Sequence, residues 1–180
     1  MKLLWRILAL FFTILLIISA HIFVVNFLPY PFSHINTTIF LLLLLLTIGA
    51  EKKSIWLGLI VSYFLELFSG IPFGIGMSAT IITLLAINWF QLNILTNRSA
   101  YMMFLSLLLG ITLYRTVFII FLTVYNYFLR QQTLSYKEII IDAGWEISLS
   151  SVVLFLIYFV GSEFFKRLNP GYAKSIRIYG

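Results

Sequence analysis

The sequence predicts an all-α integral membrane protein built as a six-helix transmembrane bundle. The first observation is composition: the 180 residues are 62% hydrophobic and only 10% charged, whereas a soluble domain is about half apolar and about a quarter charged. The second is that the apolar residues fall into six long stretches. The third is that the cations concentrate at alternate junctions between these stretches. A soluble fold of this length could not bury so much apolar surface, which excludes a soluble enzyme, a nucleic-acid-binding domain and a disordered chain.

The predicted spans follow from apolar stretches, since a helix needs about 20 apolar residues to cross a bilayer. The first is too long for a signal-peptide core and lacks a clear cleavage site, so we predict a retained helix. The second is short, and either gains length from Phe32–His34 or inserts halfway. The third and fourth form one run, divided by a cluster of Gly and Pro. The stretches are residues 7–28, 35–50, 55–95 (two spans), 101–129 and 147–165.

The positive charges predict the topology. Six spans place both termini on one side, with nine cations there and two on the other. Because cytoplasmic segments carry an excess of Lys and Arg, we predict that both termini are cytoplasmic. Residues 1–165 then form one membrane domain, and residues 166–180 form a cytoplasmic polar tail. The nine are Lys2, Arg6, Lys52, Lys53, Arg98, Lys166, Arg167, Lys174 and Arg177, and the two are Arg130 and Lys137.

Three ionisable side chains fall inside predicted spans, where they are costly and therefore informative. Glu66 lies about 16 Å into the third span and Arg115 about 21 Å into the fifth, with His21 at a similar depth in the first. We expect these three residues to form an intramembrane polar layer, with a Glu66–Arg115 ion pair at its centre. That pair either locks the bundle or lines a path for a ligand or an ion. For His21 we expect a neutral side chain that bonds to a neighbouring helix.

The positions of small and polar residues on two predicted helices support this polar layer. At 100° per residue, small and polar residues form one narrow stripe on the third span and another on the fifth. Such stripes face neighbouring helices rather than lipid, because small residues allow close approach and polar ones bond across helices. The stripes are Gly58, Ser62, Glu66 and Ser69 on the third span, and Thr112, Arg115, Thr116, Thr123 and Asn126 on the fifth.

The break between spans three and four is a second candidate site. Its residues are Ser69, Gly70, Pro72, Phe73 and Gly74. Gly permits backbone conformations that other residues avoid, and Pro removes a hydrogen-bond donor. The cluster indicates either a tight outer hairpin or a broken helix whose free backbone groups face a cavity or a partner.

An acidic face precedes the sixth span. Glu138, Asp142 and Glu146 recur at i, i+4 and i+8, so they share one side of a helix. This spacing suits a short interfacial helix or an outer extension of the span. The acids then form either a solvated face or a docking site for a partner.

Catalytic signatures are absent from the sequence. It contains no zinc-protease, nucleophile-elbow or P-loop motif, no cysteine and only two histidines, His21 and His34. We therefore expect no enzymatic activity, no catalytic residue, no metal site and no cofactor.

Residues 58–74 (Gly-Leu-Ile-Val-Ser-Tyr-Phe-Leu-Glu-Leu-Phe-Ser-Gly-Ile-Pro-Phe-Gly) resemble the best-marked segment of the rod-shape-determining MreD family. That segment is a helix that begins with glycine and ends near an acidic residue, followed by Ser-Gly-x-Pro-Phe/Leu-Gly. Glu66 stands where the family usually has Asp, and Arg115 loosely matches a basic residue of its fifth helix. The specific resemblance covers 17 residues. Beyond them, the chain is similar to the family in length, hydropathy and number of helices.

The resemblance implies a multi-pass, non-catalytic scaffold in the bacterial cytoplasmic (inner) membrane. Its partners would be the lipid bilayer, an MreC-like membrane protein and the elongation machinery, namely MreB, RodA and a penicillin-binding transpeptidase, and it would bind no nucleic acid. The fold implied is similar to the substrate-binding subunits of energy-coupling-factor transporters. That likeness supplies the alternative function, a vitamin-binding membrane subunit with its ligand near Glu66, Arg115 and Asn88.

Overall fold

The computed structural model describes residues 2–47, 50–70, 72–94, 100–129 and 136–168, and these ranges are helical without any strand. The predicted all-helical class is confirmed. A single 3₁₀ turn, Phe32–His34, lies between the first two α-helices. The α-helices are α1 Lys2–Phe27, α2 Thr37–Thr47, α3 Glu51–Phe68, α4 Ile75–Asn93, α5 Ala100–Leu129 and α6 Tyr136–Leu168.

The shortest helix, α2, lies at the centre of the bundle. It packs against α1, α3, α4 and α5, and seven of its 11 residues are buried. A helix that is apolar on every side is typically covered by protein all round, which explains the run of leucines in this segment. At 1.5 Å per residue α2 is about 16 Å long. It is separate from the 3₁₀ turn before it, so it does not gain length from Phe32–His34.

Two glycines let α3 and α5 approach their neighbours closely. A Cβ atom on Gly58 of α3 would lie 2.5 Å from Leu84 Cδ1 of α4. A Cβ atom on Gly110 of α5 would lie 2.6 Å from Leu43 Cδ1 of α2. These helices therefore pack with almost no space between their backbones and the facing leucines.

Within the described residues, three helical segments are long and apolar enough to cross a membrane. They are Leu8–Phe27 in α1, Ile75–Asn93 in α4 and Phe104–Phe128 in α5. Helix α3 carries four charged residues within its 18 positions. The presence of helices of transmembrane length agrees with the sequence, and the count of six spans stays a prediction.

Three of the four tryptophans lie near one end of the bundle. Trp5 lies near the start of α1, Trp56 near the start of α3 and Trp89 near the end of α4. Their exposed fractions are 70, 65 and 60%. Helices α4 and α5 are antiparallel, as the 3.1 Å bond from Gln91 Nε2 near the end of α4 to Ser106 Oγ near the start of α5 indicates. Exposed Trp side chains at one level are typical of a membrane–water interface.

The predicted domain boundary falls inside a helix. Helix α6 continues to Leu168, so the first three residues of the expected polar tail are helical. The rest of that tail lies outside the described residues, as do Arg98 and Arg130 of the predicted topology.

Candidate functional site

A half-open cavity of about 190 Å³, with polar and apolar walls, lies between α1, α2, α3, α4 and α5. All three residues of the predicted polar layer line it, so the structure brings His21, Glu66 and Arg115 to one space. Apolar side chains complete the wall, among them Ile39, Leu65 and Phe118. The polar lining comprises His21, Asn36, Thr38, Ser62, Glu66, Thr80, Tyr114 and Arg115, together with Ser69 at its edge.

The Glu66 carboxylate caps the N-terminus of α4. Its Oε2 accepts the backbone N–H of Gly74 at 2.9 Å, and its Oε1 accepts the N–H groups of Gly76 and Met77. The first N–H groups of a helix have no partner within the helix, and the helix dipole favours a negative charge beside them. Glu66 is only 8% exposed, so this buried charge is compensated by the amides that it binds.

The predicted hairpin between α3 and α4 is present. Gly70 and Gly74 have φ angles of 66° and 97°, in the left-handed region that favours glycine. Phe68 and Phe73 flank the turn with exposed fractions of 87 and 59%. The Phe73 ring makes an edge contact with Tyr63, with 5.6 Å between the centroids. The turn is therefore fixed by a buried carboxylate and presents aromatic side chains outward.

The expected ion pair between Glu66 and Arg115 is wrong. Arg115 Nη1 instead lies 3.2 Å from Oε2 of Glu146 on α6, which is 2% exposed. The physical reason is that both oxygens of Glu66 already accept amides of α4. Glu146, on the next helix along the chain, has no such competing donors and reaches Arg115.

The three acids of α6 do not form the expected solvated or docking face, although their spacing keeps them on one side of the helix. Glu138 is exposed, whereas Asp142 is partly buried and lies 3.7 Å from His34 Nδ1. Glu146 is buried against Arg115. Successive acids at i, i+4 and i+8 turn by about 40° per step, and α6 passes from solvent into the bundle over the same two turns. The three acids therefore occupy three different environments.

Several buried polar atoms around the cavity have no hydrogen-bond partner. They include Nδ1 of His21, Oγ1 of Thr38 and Nε of Arg115, and Oε1 of Glu146 behind the wall. Buried polar atoms are paired with protein or water in the great majority of cases. These atoms belong to residues in or next to the cavity wall, but protein atoms cover them.

The sequence analysis did not identify four polar residues of the cavity, namely Asn36, Thr38, Thr80 and Tyr114. Asn36 caps α2, because its Oδ1 accepts the N–H of Ile39 at 3.3 Å. An Asn directly before an apolar helical run is a known start signal. The sequence therefore contained a helix-start signal at Asn36. Nothing in the sequence distinguished Tyr114 from the apolar residues around it in α5.

Among the residues that the structure describes, no group of three His, Cys, Asp or Glu side chains is arranged to hold a metal ion. Comparison with known proteins adds no relative: neither a family model, nor a curated protein, nor a solved structure matches the chain.

Proposed function

We propose that this chain is a non-catalytic scaffold in the bacterial inner membrane, which determines rod shape by binding an MreC-like partner for lateral wall synthesis. The observation that carries the proposal is the hairpin between α3 and α4. A buried carboxylate, Glu66, holds its end rigid, while Phe68 and Phe73 stand exposed. Exposed aromatic side chains on a pre-organised turn are suited to bind a partner, because little entropy is lost on docking.

The segment that resembles MreD folds as a single structural unit, which supports the proposal. Gly58 permits the contact of α3 with α4, Glu66 caps α4, and Gly70 and Gly74 form the turn. Each distinctive position of the motif thus builds or orients one hairpin. A motif whose residues form an exposed hairpin is more consistent with a scaffold than with an enzyme.

In this proposal the chain crosses the membrane six times with both termini in the cytoplasm, and the short α2 spans only together with the residues that flank it. The hairpin then lies on the outer side, where a single-span partner with an outer domain can reach it. MreB, RodA and a penicillin-binding transpeptidase would join through the same assembly. The helices of transmembrane length and the level of Trp5, Trp56 and Trp89 support this arrangement.

The alternative function is a vitamin-binding transporter subunit, and the cavity is the observation in its favour. Its volume of about 190 Å³ is below the range of about 300–1,000 Å³ that is usual for larger ligands. Glu66, which that alternative needs for its ligand, is already saturated by backbone amides. The geometry thus favours the scaffold.

The test is co-purification of a co-expressed MreC-like partner with a Phe68→Ala/Phe73→Ala variant. Phe128→Ala is the matched control, since Phe128 is 76% exposed and belongs to α5 rather than to the hairpin. We expect the double variant to accumulate normally, lose most of the partner and give rounded cells, while the control behaves as the native chain. Full partner retention with rod-shaped cells in the double variant would overturn the proposal.

A further inference from the structure

We propose that the start of helix α3 is a binding surface for the headgroup of an anionic phospholipid, formed by Lys52, Lys53 and Trp56. The inference requires that the chain lies in a membrane, and it does not depend on the scaffold role. It rests on two exposed cations without an acidic partner, on exposed tryptophans at the same level and on the aromatic face that continues along α3.

The two lysines are available to bind an anion. Both side chains are exposed, and neither forms an ion pair with any residue that the structure describes. Glu51 adjoins them in the sequence, but residues one or two positions apart on a helix do not face each other. Lys52 and Lys53 therefore present two positive charges without a carboxylate partner in the described part of the chain.

Trp56 shares the exposed side of α3 with both lysines. It lies four residues after Lys52 and three after Lys53, and residues at these spacings are neighbours on a helix surface. The other side of the helix packs into the bundle through Ser54 and Leu57, which are 0 and 5% exposed. Two ammonium groups and an indole thus meet on one surface, a combination that suits the boundary between membrane and water.

The packing of α3 against α4 places a second tryptophan at this level. Gly58 faces Leu84, and Glu66 binds the N–H of Gly76, so each step forward along α3 corresponds to a step back along α4. By this register the start of α3 lies level with Trp89, which is 60% exposed. Exposed indoles on two helices therefore mark the headgroup level where the two lysines lie.

The exposed side of α3 continues as a surface suited to acyl chains. Within residues 54–64 the exposed side chains are Trp56, Tyr63 and Phe64, all of them aromatic. From Lys53 to Phe64 the helix rises by about 16 Å, close to half of the hydrocarbon thickness of about 30 Å. A phospholipid could place its phosphate at the lysines and its chains along these rings. A soluble acidic protein would have no such use for the aromatic face, so the lipid is favoured.

The charge of this surface selects an anionic lipid over a neutral one. A lysine near an anionic membrane surface contributes about a fivefold preference for that surface. Lys137 at the start of α6 provides a contrast within the same chain. Its side chain is also exposed, but the exposed Glu138 follows it directly and Asp142 lies one turn farther on, so its surroundings carry no excess of positive charge.

The experiment measures quenching of Trp56 fluorescence by brominated lipids in vesicles that contain the full chain. Replacing Trp5, Trp89 and Trp145 with Phe leaves Trp56 as the reporter. Brominated phosphatidylglycerol, which is anionic, is compared with brominated phosphatidylcholine, which has no net charge, at equal chain length. We expect phosphatidylglycerol to associate at least about tenfold more strongly, with a smaller preference at high salt because ions screen exposed charges. Equal quenching by the two lipids would overturn the proposal.

Variants of the same reporter chain identify the lysines. Lys52→Gln should lower the preference for phosphatidylglycerol about fivefold, and Lys52→Gln/Lys53→Gln should abolish it. Both side chains are exposed and unpaired, so these variants should accumulate normally. Lys137→Gln is the matched control and should keep the full preference. A preference retained in the double variant, or lost in the control, would contradict the assignment. Salt-sensitive binding of polyglutamate to the lysines, with no preference between the lipids, would identify an acidic protein as the partner instead.

Discussion

Arg115 on α5 and Glu146 on α6 form an ion pair, with 3.2 Å between Nη1 and Oε2. Glu146 is almost fully buried, and it lies one turn beyond Asp142, which meets His34 at 3.7 Å. Two acids of α6 thus connect this helix to the bundle at successive levels. The Arg115–Glu146 ion pair therefore fixes the position of α6 against α5.

Breaking this pair from one side should destabilise the protein strongly. Arg115→Met leaves Glu146 as a buried charge, so we expect a loss of about 3–5 kcal/mol in the free energy of unfolding. Arg115→Met combined with Glu146→Leu should lose less, because no charge remains unpaired. Unfolding curves in mixed detergent measure both values. Equal losses in the single and double variants would show that the charge is not the cause.

Neutralising Glu66 should loosen the hairpin. Glu66→Gln leaves three backbone amides without their charged acceptor, and bonds to charged groups contribute about 1.5–3 kcal/mol. We expect a loss of at least about 2 kcal/mol and faster hydrogen exchange at Gly74, Gly76 and Met77. Glu51→Gln, the same substitution at the start of α3, is the control. If Glu66→Gln matches Glu51→Gln in stability and exchange, Glu66 does not cap α4 as described.

The two tightly packed glycines should not tolerate a methyl group. In Gly58→Ala and Gly110→Ala the new atom would meet leucine side chains at 2.5 and 2.6 Å, and overpacking costs about 1–3 kcal/mol. In Gly144→Ala nothing lies within 4 Å of the new atom, so we expect no loss and a gain of up to about 1 kcal/mol from helix propensity. Thermal unfolding of the three variants checks this order. A reversed order would mean that the helices do not approach as closely as the structure shows.

The topology predicted from the cations has a direct test. Reporter fusions after Gly180 and after Ser135 should give opposite answers, cytoplasmic for the first and external for the second. The same answer from both fusions would mean that the number of spans is not six.

The sequence predicted the positions of the helices well, because apolar length and Gly/Pro breaks are local signals. The stripe on α3 holds at Gly58, Ser62 and Glu66, which are buried, whereas Ser69 follows the end of the helix and is exposed. The stripe on α5 holds only in part, because Thr116 is exposed. The Thr116 hydroxyl donates to Thr112 O at 2.8 Å within the same helix, so it needs no hydrogen-bond partner on another helix.

The pairing of charges could not be predicted in the same way. Depth and face placed Glu66 and Arg115 near one cavity, as the structure has them, but they do not specify which acid bonds to which donor. The amides that bind Glu66 lie eight to eleven residues after it in the chain. They reach its carboxylate only because of the shape of the turn between α3 and α4. The burial of Glu146 depends on how α6 packs, which no local pattern of the sequence contains.

The shortness of α2 has a consequence for how the protein is made. At about 16 Å this helix cannot cross about 30 Å of hydrocarbon alone, and its leucines are covered by helices that the ribosome synthesises later. We therefore expect α2 of the nascent chain to stay at the membrane surface until α3, α4 and α5 have been synthesised. These helices then pack around α2 in the last step of assembly. Chains truncated before α5 should consequently be recognised by membrane proteases and degraded, while the full-length chain accumulates.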